Sequence, residues 1–245
     1  MTVHKSSVLI LQCQDWSETS QVVHILAREA GRLRCLAKGS RRGLNPFSGP
    51  LERWTCGQAV FSLTDPNRLS TLMELFETER FAGLREKLPA FYGASALTEL
   101  ILAIVPDAER QPELYDLAVE SLRRLASADG RECPALTFAA ILRVLQRLGY
   151  VSATDRCAEC GRHLASGPAD FSPGHGGPLC AACRPPAAIR AAARTREAVA
   201  FLLAAPWDEV RRVRLAPATA AQVREILQAR LEELAGRKLA SLRYV

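Results

Sequence analysis

Two C-x2-C pairs, Cys157/Cys160 and Cys180/Cys183, stand nineteen residues apart and constrain this chain more than any other feature. Two residues between cysteines let both thiolates of a pair reach one ion, with backbone N–H groups turned toward the sulfurs. Two such pairs complete a tetrahedral four-sulfur shell, the arrangement of structural Zn²⁺. The stretch between them holds Gly161, Gly167, Pro168, Pro173, Gly174, Gly176, Gly177 and Pro178. Such a loop buries little apolar surface, so the metal is expected to supply folding free energy on the order of 10 kcal/mol. Sulfur fills all four positions, which leaves no place for a reacting water. His163 and His175 are weaker candidate ligands, because the four thiolates suffice. The remaining cysteines, Cys13, Cys35, Cys56 and Cys133, are scattered, and three of them lie in apolar or strand-like surroundings where a thiol packs as a small hydrophobe. The pattern is that of a reduced compartment with one metal site, not of a disulfide framework.

The first 65 residues read as short strands. VLILQC (8–13), QVVHILA (21–27) and RLRCLAK (32–38) are separated by polar or glycine-containing turns, and 51–63 holds a fourth strand with room for a fifth, broken near Gly57. Short strands this close together, without helices between them, suit a small barrel. Leu33, Cys35 and Ala37 would face its interior and Arg32, Arg34, Leu36 and Lys38 its exterior. Leu36 breaks the alternation, which a partly covered outer face explains.

From residue 66 the texture becomes helical. Asp65 and Pro66 read as N-cap and first helical residue ahead of Leu69, Leu72, Met73 and Phe76. Further helices are expected from Ser95 to Pro106, over 113–126 and over 135–148, the last ended by Gly149. Thr219 and Gln222 have capping-box spacing ahead of Val223, Ile226, Leu227, Leu231 and Leu234. The predicted organisation is a barrel domain at 1–65 and a mainly helical domain at 66–245, interrupted by the cysteine module at 157–183.

Net charge is +6, and residues 1–60 hold eight Lys/Arg against four Asp/Glu, so two-thirds of the excess lies in the first quarter of the chain. Much of it falls in GRLRCLAKGSRRG (31–43). A strand end carrying Lys38, Arg41 and Arg42, with glycine allowing close backbone approach and the Ser40 hydroxyl as a further contact, suits successive phosphates. Trp16 and Trp54 are candidates to stack on bases, although burial is the commoner fate of tryptophan. No stretch is long and apolar enough to span a membrane, and none has the form of a signal peptide. A cytoplasmic protein is expected.

Catalytic motifs are missing: there is no GxxxxGK[ST], HExxH or GxSxG. Asp15 and Glu18 flank a turn and read as solvation rather than a Mg²⁺ site. His4 and His24 have no readable nucleophile beside them. No covalent chemistry is expected.

Taken in order, WSETSQVV (16–23), REAGRLRCLAKGSRRG (28–43), FSGPLERW (47–54), the cysteine module and GRKLASLRYV (236–245) resemble the bacterial recombination mediator RecO family, in its zinc-bearing form. The resemblance implies an amino-terminal OB-fold barrel joined to a helical domain with an inserted four-cysteine zinc module. It implies binding of single- and double-stranded DNA and annealing of complementary strands, near the nucleoid. The partners implied are RecR and the acidic, apolar-ended tail of the single-strand-binding protein, and indirectly the RecA recombinase. Arg32, Arg34, Lys38, Arg41 and Arg42 are the candidate DNA contacts. Arg124, Arg143 and Arg147 are candidates to meet the tail's carboxylate, and Cys157, Cys160, Cys180 and Cys183 are the candidate zinc ligands. Leu44-Asn45-Pro46-Phe47 interrupts the basic run that many relatives continue. The alternative is a protein-interaction adaptor with little DNA binding of its own.

Overall fold

The computed structural model describes residues 2–47, 49–63 and 69–245, and they pack as two compact units: 1–82 with 105–123, and 83–104 with 124–245.

The first unit is built on five strands: β1 (Thr2–Asp15), β2 (Gln21–Ala27), β3 (Gly31–Ala37), β4 (Thr55–Leu63) and β5 (Ser70–Arg80). They hydrogen-bond in the closed order β1–β2–β3–β5–β4, with β4 returning to β1. All pairs are antiparallel except β3–β5, which is parallel and short, joining Cys35–Ala37 to Ser70–Leu72. The interior holds Val8, Ile10, Val23, Ile25, Leu33, Cys35, Ala37, Phe61, Leu72 and Leu75. The inward alternation of Leu33, Cys35 and Ala37 is as expected. The outer face of β2 is covered too, since Val22 and Leu26 are buried. On neighbouring β3, the Ala108 N–H donates to the Arg32 carbonyl at 2.8 Å.

The expected fold class needs correction. An OB-fold barrel complete by residue 65 and followed by helices does not describe this chain. The sheet draws its last strand, β5, from residues expected to open the helical domain, and the helical unit contains a second sheet. Leu72 and Leu75 both face the core, three residues apart, because the β4–β5 register shifts: Val60 lies opposite Glu74 and Phe61 opposite Leu72, leaving Met73 over. That shift imitates helical spacing inside a strand. The N-cap expected at Asp65 and Pro66 lies outside the described residues. The fourth strand runs through Gly57 without a break.

The helices are α1 (Gly83–Glu86), α2 (Leu88–Ile104), α3 (Pro112–Ser127), α4 (Cys133–Arg147), α5 (Ala193–Ala204), α6 (Trp207–Arg212) and α7 (Pro217–Ala235), followed by a terminal 3-10 turn (Ser241–Tyr244). Helix α4 forms the centre of the second unit, burying Phe138, Ile141 and Leu145 against α2, α5 and α7. Gly149 follows it as expected, and the Tyr150 N–H closes the end on the Leu145 carbonyl at 2.8 Å. The capping box expected at Thr219 and Gln222 is not formed, since α7 begins at Pro217 without a side-chain cap. Gln222 Oε1 instead accepts from the Ala192 N–H and the Thr195 hydroxyl, at 2.9 and 2.6 Å, and so ties α7 to the start of α5.

Candidate nucleic-acid interface and metal centre

The turn after β3 is held from beneath by residues that carry no charge. Gly39 adopts the left-handed backbone the turn requires (φ +74°), and the Arg42 N–H closes it on the Gly39 carbonyl at 2.9 Å. Ser40 is fully buried, and its hydroxyl donates to Gln21 Oε1 at 3.0 Å. That same oxygen accepts from the Leu51 N–H at 2.8 Å, while Gln21 Nε2 donates to the Leu51 carbonyl at 3.3 Å. The Ser40 hydroxyl therefore faces inward and does not serve as the expected phosphate contact. Gln21 is the residue that sequence reading missed. It opens β2 as an ordinary polar residue, and nothing in its neighbourhood announces a partner thirty positions away.

The five predicted cations divide in this setting. Arg34, Lys38, Arg41 and Arg42 are exposed, whereas Arg32 is half-buried and pairs with Asp107 at 2.9 Å. Arg41 pairs with Asp15 at 3.0 Å, which screens part of its charge. His24 lies opposite Arg34 on β2 and is held below its ordinary pKa, first by burial and then by Arg34 and Arg32. The interruption after Gly43 has a structural use. Asn45 Oδ1 accepts from the Phe47 N–H at 2.8 Å, and Phe47 is fully buried. The two tryptophans also separate. Trp54 is buried beneath Arg53, whereas Trp16 is 63% exposed.

The predicted partner arginines come to different ends. Arg143 donates from Nε to the Leu202 carbonyl at 3.0 Å, bonds the Ala205 carbonyl, and lies 4.1 Å over the Trp207 ring. Arg124 pairs with Asp208 at 2.5 Å. Both thus fasten α6 and the turn before it. Arg147 is exposed on the last turn of α4.

The four module cysteines converge, their sulfurs all within 4.8 Å of one another. Cys160 and Cys180 Sγ are 3.8 Å apart. A tetrahedral zinc with Zn–S bonds of about 2.3 Å requires sulfur–sulfur edges of about 3.8 Å. Each pair forms a tight turn, with the Gly161 N–H on the Cys157 carbonyl at 2.9 Å and the Cys183 N–H on the Cys180 carbonyl at 3.1 Å. Burial pushes the Cys157 thiol up, but N–H groups of residues 160, 180 and 159 outweigh it and bring the pKa down to about 6. Cys183 is pushed up to about 12, chiefly by donating to Cys180 and then to Cys160. Four sulfurs this close cannot all ionise unless a cation sits among them. The donor set and spacing are therefore compatible with a bound metal. His175 belongs to another group, facing Glu159 at 3.1 Å and Ser172 Oγ at 3.1 Å. Cys35 and Cys56 are pushed up to about 12 by burial, as packed thiols are.

A three-stranded sheet of β6 (Ala169–Ser172), β7 (Gly177–Leu179) and β8 (Ile189–Ala191) completes the module, in the order β7–β6–β8. Arg196 of α5, nearly buried, fastens the module by donating to the carbonyls of Thr154 at 2.9 Å, Ala165 at 2.6 Å and Leu164 at 3.3 Å. No sequence signal distinguishes it from the other arginines nearby.

Two family models match this chain in order. Residues 1–77 match the family model described as Recombination protein O N terminal, and 85–243 match Recombination protein O C terminal. The chain is 33% identical to the DNA repair protein RecO of Anaeromyxobacter sp. (strain K) over 247 residues, covering 98% of this chain and 95% of that one. It is 31% identical to the DNA repair protein RecO of Salinibacter ruber, covering 93% and 86%. For the DNA repair protein RecO of Rhodopirellula baltica the identity is 30%, covering 82% and 70%. These matches define the class first: a protein of DNA recombination and repair. More narrowly, the chain belongs to the RecO family, whose members are non-catalytic recombination mediators. No helix among the described residues is long and apolar enough to cross a membrane.

Proposed function

We propose that this chain binds single- and double-stranded DNA through the basic turn of its amino-terminal domain and anneals complementary single strands. Arg34, Lys38 and Arg42 are the principal phosphate contacts. Arg41 and Arg32 contribute after loosening from Asp15 and Asp107. Neutralising phosphates lowers the repulsion between two approaching strands, so no covalent step is needed. The observation that carries this reading is the division of labour at the turn: Gln21 and Ser40 hold the backbone from inside, and the cations are left to solvent.

The helical domain is assigned to partners: the tail of the single-strand-binding protein, with Arg147 the most accessible of the three candidate arginines, and RecR, through which the RecA recombinase is loaded. Cys157, Cys160, Cys180 and Cys183 hold one structural Zn²⁺, supported by the 3.8 Å sulfur–sulfur edge. Bound zinc would balance the charge of the thiolates and fix the module's fold. A protein acting on DNA in this way would work in the cytoplasm, at the nucleoid.

The test is annealing of complementary strands coated with single-strand-binding protein, either whole or lacking its terminal tail. Annealing that proceeds with the whole coat and slows at least tenfold with the tailless coat is expected. Annealing absent even on bare strands at low salt would refute the reading.

A further inference from the structure

The basic turn does not account for Trp16. Its side chain is 63% exposed, while Trp54, at the start of β4, is fully buried. An indole presents a flat apolar face with a polar edge, and this one stands in a turn hydrogen-bonded to the basic turn. The Trp16 N–H donates to the Ser20 carbonyl at 2.9 Å and the Ser17 N–H to the same oxygen at 3.2 Å. Ser17 Oγ in turn accepts from the Ser20 N–H at 3.2 Å.

This turn is tied to the basic one. The Arg41 N–H donates to the Thr19 carbonyl at 3.1 Å, the Gly39 N–H to Ser20 Oγ at 3.3 Å, and Arg41 pairs with Asp15 at 3.0 Å. Trp16 thus sits on a turn fastened to the one that carries Lys38, Arg41 and Arg42. Arg53 occupies the ring of Trp54 at 4.4 Å, so that indole is already covered.

We infer that Trp16 is a stacking platform for an unpaired base, and that it makes the site favour single strands over duplex. The inference rests on the DNA-binding reading above and adds to it a source of strand selectivity. The chemistry is general. Phosphate contacts do not distinguish a single strand from a duplex by sequence, whereas an indole stacks on any base whose face is free. In a duplex both faces of each interior base are occupied, and the indole gains nothing. Lys38 and Arg42 hold the backbone while the ring takes the base between them.

The experiment uses the full chain, as wild type, Trp16→Ala and Trp16→Phe, with a thymidine 20-mer and a duplex of the same length. Affinity is read by fluorescence anisotropy of labelled DNA, and tryptophan emission is followed on unlabelled oligonucleotide. Trp16→Ala is expected to weaken single-strand binding about 5- to 100-fold and duplex binding less than about twofold. Trp16→Phe restores part of the loss, and quenching of emission by the 20-mer disappears in both variants. Single-strand binding unchanged in Trp16→Ala, or equal losses on both DNA forms, would overturn the inference and leave the basic-turn reading standing. Wild-type protein that binds neither form would overturn both.

Discussion

The five-stranded sheet and the four-cysteine module solve the problem of stability in opposite ways. Among the described residues, the sheet encloses fourteen buried residues in one apolar cluster. The module's clusters among them are small, Cys157, Leu179 and Cys180 in one and Ala169, Phe171 and Ala191 in another. A region with its own core can leave its cations in solvent, as Arg34, Lys38 and Arg42 are. The module leaves Arg162 exposed as well, but there arginine also builds: the nearly buried Arg196 of α5 donates to four backbone carbonyls, and Arg190 pairs with the buried Asp170 at 2.8 Å. The same residue type therefore stands in solvent beside the sheet and fastens backbone and a buried carboxylate in the module.

The comparison is tested most severely by taking the metal away. Freshly purified protein is expected to hold one zinc per chain by elemental analysis. Cys157→Ser with Cys160→Ser, or chelation, should abolish that content and raise amide exchange across 150–192 by orders of magnitude, since structural zinc contributes on the order of 10 kcal/mol. Amides of β1 to β3 should keep their protection. Exchange rising equally in the sheet would mean that the two regions are not stabilised separately. A smaller break comes from Arg196→Ala. It leaves the carbonyls of Thr154, Ala165 and Leu164 without their donor, and urea unfolding should report a loss of about 2–4 kcal/mol. A loss below about 0.5 kcal/mol would show that the clamp is ornamental.

The same contrast explains what could be read from the sequence. The convergence of the four cysteines is legible from spacing alone, because two C-x2-C pairs suit one four-sulfur cluster. β3 announces itself by alternation, and its one irregularity, Leu36, is half-buried on an outer face that leaves Arg34 exposed. β5 was concealed by its own register shift at Met73, which places Leu72 and Leu75 on one side in helical fashion. Gln222 sat in the right spacing for a cap and was taken by α5 instead. Contacts such as Gln21 to Leu51 and Arg196 to Thr154 join residues 30 and 42 positions apart, and local patterns carry no trace of them.

The central claim is that the exposed turn after β3 grips DNA, and the salt dependence of binding by Lys38→Ala/Arg41→Ala/Arg42→Ala tests it most directly. These side chains are exposed, so the melting temperature should move little. Affinity for a single-stranded 20-mer at low salt should fall roughly 10- to 100-fold, and the slope of log affinity against log salt should shrink by about 2, as expected for three lost phosphate contacts. An unchanged affinity with an unchanged slope would contradict the account.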